Sequence, residues 1–358
     1  MKRLIDVIIL AVLLCSLTCG CSGRILRKDE LVFFDDSIEA PGYTVKVAGS
    51  DELFIGELSC WSQSQGFGLY VRNNIGDGKP NCIGLFDSKG NKSLFSDESM
   101  FARAAVDGED GSIYYSVYDR STLSASLLRT TVQGRQKTVT VRDMTGNKLI
   151  FCAVGGMLIY TDDEGRLMIF DGEEPKILYV FEEGETAEDM LPADQENAVY
   201  VLTSSSDSGR LIRLDIPEGE PEVIAEDVCG MALNENCGLI YMSRGKTEKL
   251  LFEYRDGESV RLRSLPEDAD SFAVSPGGEY IAYSLKLRGT GAVCICLAAG
   301  SEAPSFIYAG EAITGPVFFT AEGRVIFTRL VPENNAVTSI VTSVSFTVID
   351  NNDTEGIK

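Results

Sequence analysis

The sequence predicts an all-β fold, a seven-bladed β-propeller with four-stranded blades, and three observations lead to it. A unit of about 43 residues recurs seven times along the chain. Glycine makes up 35 of the 358 residues, which favours tight turns between short strands. Beyond the first 23 residues, no segment has the 3.6-residue hydrophobic period of an amphipathic helix. A β-sandwich would not repeat in this way, and the coils of a β-solenoid are shorter.

Each repeat is anchored by the aromatic residue that closes its second strand. The clearest copy is SFAVSPGGEYIAYS at 271–284, in which a Pro-Gly-Gly turn joins two short apolar strands. The seven closing aromatics are 40 to 45 residues apart: Tyr70, Tyr115, Tyr160, Tyr200, Tyr241, Tyr283 and Phe327. Each is followed by a polar loop, a third strand such as RLIRLD at 210–215, a tight turn and a fourth strand such as SVRLR at 259–263. Four short strands per unit are typical of a propeller blade.

The last repeat lacks a fourth strand, and this predicts how the ring closes. Strands are expected near 325–328 and within 339–349, and only a short polar tail follows Asp350. We therefore expect residues 42–47 to pair with the last repeat, with residues 31–34 as the second candidate. The propeller is thus predicted at 42–350 and a C-terminal tail at 351–358. Closure leaves only short, protected strand edges.

The first 23 residues, MKRLIDVIILAVLLCSLTCGCSG, have the organisation of a secretory signal peptide. Lys2 and Arg3 precede an apolar stretch that is short for a membrane-spanning helix. Gly20-Cys21-Ser22 at its end resembles the lipobox of bacterial lipoproteins. The resemblance implies a signal peptide at 1–20, lipidation of Cys21 and a tether at 21–41. Thr18 departs from the usual leucine, Cys19 is the alternative acceptor, and an uncleaved anchor or plain signal peptide is the alternative interpretation.

A lipidated Cys21 would hold the propeller on the outer side of a bacterial membrane. Each buried CH₂ of an acyl chain contributes about 0.8 kcal/mol, and two or more chains give stable anchoring. The chain carries 54 acidic and 32 basic residues, a formal net charge of −22, which argues against a nucleic-acid partner. This acidity would also repel the domain from anionic lipid.

The absence of histidine and the cysteine pattern limit the chemistry. Without histidine there is no Ser-His-Asp triad, Cys-His pair or imidazole zinc site. Seven cysteines follow Cys21: Cys60, Cys82, Cys152, Cys229, Cys237, Cys294 and Cys296. Their odd number and their spacing favour unbridged core thiols in a reducing habitat over a disulfide framework. A metal site at Cys294-x-Cys296 would need a second pair of ligands.

One repeat resembles a known family. The segment VSPGGEYIAYS at 274–284 is similar to the repeat of WD-like, TolB-type bacterial propellers, in which Ser-Pro-Asp-Gly forms the first turn. Gly277 replaces the usual aspartate, and the other six repeats match only in pattern. The resemblance implies the fold and an envelope location. It implies no activity, since this fold hosts many functions.

Charged loops are expected to gather at one end of the ring, where inter-blade loops meet the loops between second and third strands. The acidic group comprises Glu182, Glu183, Glu185, Glu188, Asp189, Glu226, Asp227, Glu267, Asp268, Asp270 and Glu311. The basic group comprises Arg72, Lys79, Arg120, Arg166, Arg244, Lys246, Lys286, Arg288 and Arg329. These loops form either a polar docking surface or an ordinary solvated rim.

The inner strands look apolar at 231–233, 272–274 and 317–319. Asp107 and Asp194 occupy first-turn positions where aspartate is common, and Trp61 is expected in the core. Residues 205–209 match only the start of a sialidase Asp-box, and residues 350–355 are half the length of a calcium loop. We therefore predict no catalytic, cofactor-binding or metal-binding residue.

The predicted function is that of a non-catalytic, lipid-anchored envelope protein. Its propeller, expected to be monomeric and without a cofactor, would bind an envelope protein or polymer through one loop face. The alternative is a carboxylate-dependent carbohydrate-active enzyme or sugar-binding protein. It requires three or more acids within hydrogen-bond reach of one ligand at the channel mouth. A sensor domain for a membrane partner is a third interpretation, which the sequence does not separate from the first.

Overall fold

A computed structural model describes residues 43–350 except 63–64, 74–79, 88–89, 98–99, 120, 123, 133–137, 146–148, 194–196, 206–207, 235–237, 288, 301–302 and 334–335. The described residues form 28 strands in seven antiparallel, four-stranded sheets, which confirms the seven-bladed β-propeller. Among the residues that the structure describes, no helical segment has the length and apolarity of a membrane span. The predicted signal peptide, Cys21, the tether and the C-terminal tail lie outside the described residues.

The first strand, β1 (Tyr43–Ile55), belongs to the last blade. Blades 1 to 3 consist of β2 (Glu57–Ser62), β3 (Phe67–Arg72), β4 (Asn81–Asp87) and β5 (Gly90–Asp97); β6 (Met100–Val106), β7 (Ile113–Asp119), β8 (Ser124–Thr130) and β9 (Thr138–Thr145); and β10 (Phe151–Val154), β11 (Met157–Thr161), β12 (Leu167–Phe170) and β13 (Lys176–Tyr179). In each of these blades the strands follow chain order across the sheet.

Blades 4 to 6 consist of β14 (Thr186–Ala193), β15 (Ala198–Ser204), β16 (Arg210–Asp215) and β17 (Pro221–Glu226); β18 (Val228–Asn234), β19 (Gly238–Arg244), β20 (Glu248–Arg255) and β21 (Glu258–Pro266); and β22 (Ala269–Val274), β23 (Tyr280–Lys286), β24 (Thr290–Leu297) and β25 (Ser305–Glu311). Blade 7 has the order β1-β28-β27-β26, with β26 (Ile313–Phe319), β27 (Val325–Glu333) and β28 (Ala336–Asp350).

The ring closes through the N-terminal strand, as the short last repeat predicts. β1 pairs antiparallel with β28 from Tyr43 opposite Asp350 to Ile55 opposite Ile340. The strand is longer than the predicted 42–47, because the 15-residue β28 offers it an edge from residue 340 to residue 350. The second candidate, residues 31–34, lies outside the described part of the chain.

The closing aromatics are the core anchors that the repeat predicts. Tyr70, Tyr115, Tyr160, Tyr200, Tyr241, Tyr283 and Phe327 are all buried, with at most 5% of their surface exposed. They pack in the apolar layers between neighbouring blades, and burial of such large rings supplies much of the hydrophobic stabilisation. Six of them face the preceding blade, whereas Tyr200 lies in the layer between blades 4 and 5. The period of the sequence therefore reflects a buried aromatic in the second strand of each blade, not one identical position.

The two ends of the ring differ, and we name them here. The loop face is formed by the inter-blade loops and the loops between second and third strands. The turn face is formed by the turns between first and second strands and between third and fourth strands. Each inner strand runs from the loop face to the turn face, because it follows an inter-blade loop. Tyr43 and Asp350, the ends of the described chain, therefore pair at the turn face.

Turn residues on the turn face connect neighbouring blades. Asp107 lies in the first turn of blade 2 and is fully buried. Its carboxylate accepts hydrogen bonds from the backbone N–H of Glu109 at 2.9 Å and of Gly156 in blade 3 at 2.9 Å. Asn234 in blade 5 also bridges two blades, but as a donor: its side-chain amide donates to the Ser275 carbonyl of blade 6 at 2.5 Å. The side-chain carboxylate of Asp107 and the side-chain amide of Asn234 therefore form hydrogen bonds that join neighbouring blades.

Candidate functional site

A central channel of about 1620 Å³ runs between the seven inner strands. It is larger than the roughly 300–1,000 Å³ that suffice for most small ligands. Much of its wall is apolar, with Met190, Met231, Phe272 and Val317 among the lining residues. The channel can therefore accept a sizeable ligand with apolar groups.

Bulges in the inner strands shape the mouth of the channel at the loop face. In the described residues, the pairing of six inner strands with their second strands is interrupted by a register shift in the first half of the inner strand. A bulge adds an unpaired residue and redirects its side chain. Residues at these shifts line the channel: Ser59, Arg103, Glu188, Cys229, Asp270, Ser271 and Gly315.

These polar positions correct the expectation of apolar inner strands. The apolar triplets at 231–233, 272–274 and 317–319 occupy the second half of their strands. The first half presents charged or small residues, and the sequence interpretation missed Arg103 entirely. A charged residue one or two positions before an apolar triplet, as in Arg103 and Asp270, is the signal that could have indicated it.

Blade 3 differs from its neighbours at the mouth. Its inner strand β10 begins at Phe151 and pairs with β11 without a register shift. The preceding Leu149 and Ile150 pack into the apolar cores on either side of the blade. Among the described residues, blade 3 therefore contributes no polar bulge to the mouth.

An ion pair joins blades 2 and 4, the two neighbours of blade 3. Arg103 Nη2 of blade 2 lies 2.5 Å from Asp189 Oδ1 of blade 4, with side chains 31% and 39% exposed. The backbone N–H of Arg103 donates to Ser116 Oγ at 3.1 Å, and this bond holds the bulge in place. Asp189 Oδ1 also accepts from the Met190 N–H at 3.0 Å. A pair as exposed as this contributes about 1 kcal/mol or less.

Two other arginines on the loop face, Arg210 and Arg166, are paired with carboxylates. Arg210 forms two bonds with Glu185, at 2.8 and 2.5 Å, and Glu182 lies 3.2 Å away. Arg166 contacts Asp162 through two nitrogens, at 2.8 and 2.6 Å. Both signs of charge therefore meet on this face, but many of them neutralise each other locally.

Arg329 does not belong to a solvated loop, contrary to the sequence interpretation. It lies in β27, and its side chain is only 6% exposed. The guanidinium binds Glu52 of β1 at 2.7 Å, Glu311 of blade 6 at 3.1 Å and Thr342 Oγ1 at 2.8 Å. It also lies over the Tyr308 ring at 5.9 Å. Arg329 thus fastens the closing strand to its own blade and to blade 6.

The half-buried thiols of the channel are not activated. Burial raises the pKa of Cys60 to about 12, despite the nearby Arg103 charge. Burial also raises the pKa of Cys229, although Lys249 and Arg244 oppose this shift. Both cysteines therefore remain protonated at neutral pH, which makes them poor nucleophiles.

The cysteines with described side chains agree with the expectation of core thiols. Cys82, Cys294 and Cys296 are buried free thiols, and Cys60 and Cys229 are half-buried ones. Cys152 is buried in β10. Cys237 lies outside the described residues. In the described part of the chain, no group of three His, Cys, Asp or Glu side chains is arranged to hold a metal ion.

Two of the carboxylates at the mouth have separate contacts. Asp189 pairs with Arg103, and Glu188 accepts a hydrogen bond from Ser204 Oγ at 2.7 Å. Trp61 is half-buried in β2, where its ring packs 5.4 Å from that of Phe86 and borders the channel. Asp194, Asp207 and residues 351–355 of the weaker motifs lie outside the described residues.

Comparisons with known proteins show the fold. No family model and no curated protein matches the sequence. The chain superposes on oligogalacturonate lyase from Vibrio parahaemolyticus with a TM-score of 0.57 and 12% identity, covering 82% of this chain and 90% of that one. The β-propeller domain of Cps50 (Swd1) from Myceliophteria thermophila gives 0.55 and 10%, covering 83% and 99%. TolB from Acinetobacter baumannii gives 0.46 and 13%, covering 78% and 79%, a score too low to add to the argument.

Proposed function

We propose that the protein is a non-catalytic binding propeller, anchored to the outer side of a bacterial membrane through a lipid on Cys21. Its partner, an envelope protein or polymer, docks on the loop face over the mouth of the channel. The propeller fold, whose neighbours include a lyase and the propeller domain of Cps50 (Swd1), is compatible with this function without specifying it.

The position of the chain ends carries the proposal. Tyr43, where the described chain begins, lies at the turn face. The polar bulges open at the opposite end of the ring, so the first described strand begins at the face away from the channel mouth. A partner that docks at the mouth therefore lies across the ring from the point where β1 begins.

The engagement of the acidic groups favours binding over catalysis. A glycosidase-type mechanism needs acids with distinct roles around one bond. At this mouth Asp189 is neutralised by Arg103, and Glu188 is bound to Ser204. A carbohydrate enzyme would need these two acids to change partners, or would have to use Asp270 and Glu109, which also line the channel.

Crosslinked affinity capture from native membranes tests the proposal, with identification of whatever protein or glycan is recovered. We expect one stoichiometric envelope component with the full-length protein. Asp270→Arg, at an exposed mouth position, should abolish capture, whereas Glu322→Arg, on the exposed turn face, should leave it unchanged. Equal capture by the two variants would contradict docking at the loop face.

The anchor has its own test. Cys21→Ser should move the protein from the membrane fraction to the soluble one, because the acyl chains are lost. Metabolic labelling with a fatty acid should mark the parent protein and not this variant. Labelling that persists in Cys21→Ser would contradict the assignment of the lipidation site.

A further inference from the structure

We propose that the Arg103–Asp189 pair is an exchangeable contact, in which Arg103 receives the C-terminal carboxylate of a peptide that enters the channel mouth. The inference deepens the proposed binding function and rests on it. Asp189 occupies, in the free protein, the place that the ligand's carboxylate takes in the complex.

The geometry of the pair leaves Arg103 with donors to spare. A guanidinium carries five N–H donors in a fork that fits a carboxylate through two parallel bonds. Arg103 contacts Asp189 through Nη2 alone in the described part of the chain, and about a third of its side chain is exposed to the channel. An incoming carboxylate could therefore replace a single contact by a paired one.

Three arginines outside the channel differ from Arg103, and of the two that line it, Arg103 and Arg244, only Arg103 pairs with a carboxylate among the described residues. Arg210 and Arg166 each use two nitrogens on one carboxylate, and Arg329 is buried between two glutamates and a threonine. These arginines have structural roles and little free capacity. Arg103 instead lines the channel on a strand bulge that fixes its backbone and leaves its side chain reaching across the opening.

The surroundings select a singly charged carboxylate with apolar neighbours. Glu188 and Asp270 also line the mouth, and their charges oppose a dianion such as a phosphate monoester more strongly than a monoanion. Beyond the mouth, Met190, Met231 and Val317 offer apolar contacts. The end of a peptide chain combines one carboxylate with backbone amides and apolar side chains, and the lining offers partners for both kinds of group, hydroxyls such as those of Ser59 and Ser271 and the apolar side chains beyond the mouth.

Fluorescence polarisation on the full-length protein in detergent tests this. The probes are fluorescein-labelled octapeptides ending in Ala, Val, Leu or Phe, each made as the free acid and as the C-terminal amide. We expect at least one free acid to bind about tenfold more tightly than its amide, the effect of one charge-assisted contact. Arg103→Gln should remove this preference, and Arg261→Gln, on an exposed outer strand, should preserve it.

Asp189→Asn separates exchange from a structural role. If Asp189 competes with the ligand, this variant should bind the free acid several-fold more tightly. Weaker binding would mean that Asp189 supports the site, and the exchange would be wrong. The absence of any free-acid preference would also overturn the proposal. Trigalacturonate binding that requires Arg103, without binding of any peptide, would show that the ligand is a sugar acid.

The outcomes also distinguish this inference from the function on which it rests. If capture depends on Asp270 but no peptide binds better as the free acid, docking at the loop face stands and the peptide-terminus proposal is wrong. If capture does not depend on Asp270 and no free acid is preferred, both the loop-face docking and the peptide-terminus proposal are wrong.

Discussion

A Cβ atom added to Gly84 of β4 would lie 2.0 Å from Cζ of Tyr70, so the tyrosine ring occupies the space above this glycine. The two residues are directly opposite each other on β3 and β4. Tyr70 is one of the seven closing aromatics, and it also stacks on Phe54 of the closing strand with ring centroids 4.0 Å apart. Gly84 is therefore part of the contact between blade 1 and the strand that closes the ring.

Gly84→Ala should lower the free energy of unfolding by about 1–3 kcal/mol, because the new methyl group overpacks the Tyr70 contact. Gly277→Ala is the matched control. Its added Cβ would meet no atom closer than 3.8 Å, so a change within about 0.5 kcal/mol is expected. Urea unfolding of both variants measures the difference, and equal stability would contradict the packing argument.

Arg329→Met should loosen the closing strand. The substitution leaves Glu311, whose side chain is 12% exposed, without its cation, and losing one partner of a buried pair costs about 3–5 kcal/mol. Hydrogen exchange in β1 should rise more than in blades 3 to 5. Arg261→Met, which removes an exposed contact to Glu248, should change neither stability nor exchange. Uniform destabilisation of all blades would argue against a local role.

Stability should fall with acid because of Glu185 and Glu311. Hydrogen bonds from Arg210 hold the pKa of Glu185 below its ordinary value of 4.5. Burial opposes the same shift in Glu311, but bonds from Tyr308 and Arg329 outweigh it and lower its pKa. The unfolded chain then binds more protons than the folded one, so this stability is present above about pH 4.5 and is lost below it.

Thermal unfolding between pH 6 and pH 3 measures this dependence. Glu185→Gln should be less stable at pH 6 and should lose less on acidification than the parent protein. Glu322→Gln, on an exposed turn, serves as the control and should follow the parent curve. An unchanged acid slope in Glu185→Gln would show that the Arg210 pair does not contribute.

The buried thiols of blade 6 should resist alkylation until the protein unfolds. Burial raises the pKa of Cys294 to about 12 and that of Cys296 to about 11, so few thiolates exist at pH 8. Mass spectrometry after iodoacetamide treatment should find both unmodified in the folded protein and modified in urea. Rapid modification of Cys294 without urea would contradict its burial in the core.

The blade count and the mode of closure could be predicted from the sequence because both leave a periodic trace. Each blade buries a large aromatic in its second strand, so Tyr70 to Phe327 recur at nearly constant spacing, although Tyr200 faces the following blade and the other six face the preceding one. The missing fourth strand of the last repeat indicated that an earlier segment must supply it, and β1 does so. Both features can be read from the sequence, because the first depends on the local hydrophobic pattern and the second on the number of strands in the last repeat.

The candidate site could be predicted only in part, since the expected charged loops do meet on one face but their partners could not be anticipated. Arg329 looked like a loop residue and is buried, because its neighbours Glu52 and Glu311 come from β1 and from blade 6. Arg103 and Asp189 are 86 positions apart and meet across an intervening blade. Their contact depends on strand bulges and on the short inner strand of blade 3.

The sequence by itself determined the repeat, its all-β character and the strand that closes the ring, since hydrophobic periodicity and turn chemistry act over a few neighbouring residues. The tertiary structure alone decided which charges pair, which face carries the open mouth and that Arg103 reaches into the channel. Register shifts belong to two strands together, and an ion pair across a ring exists only after all seven blades have taken their places.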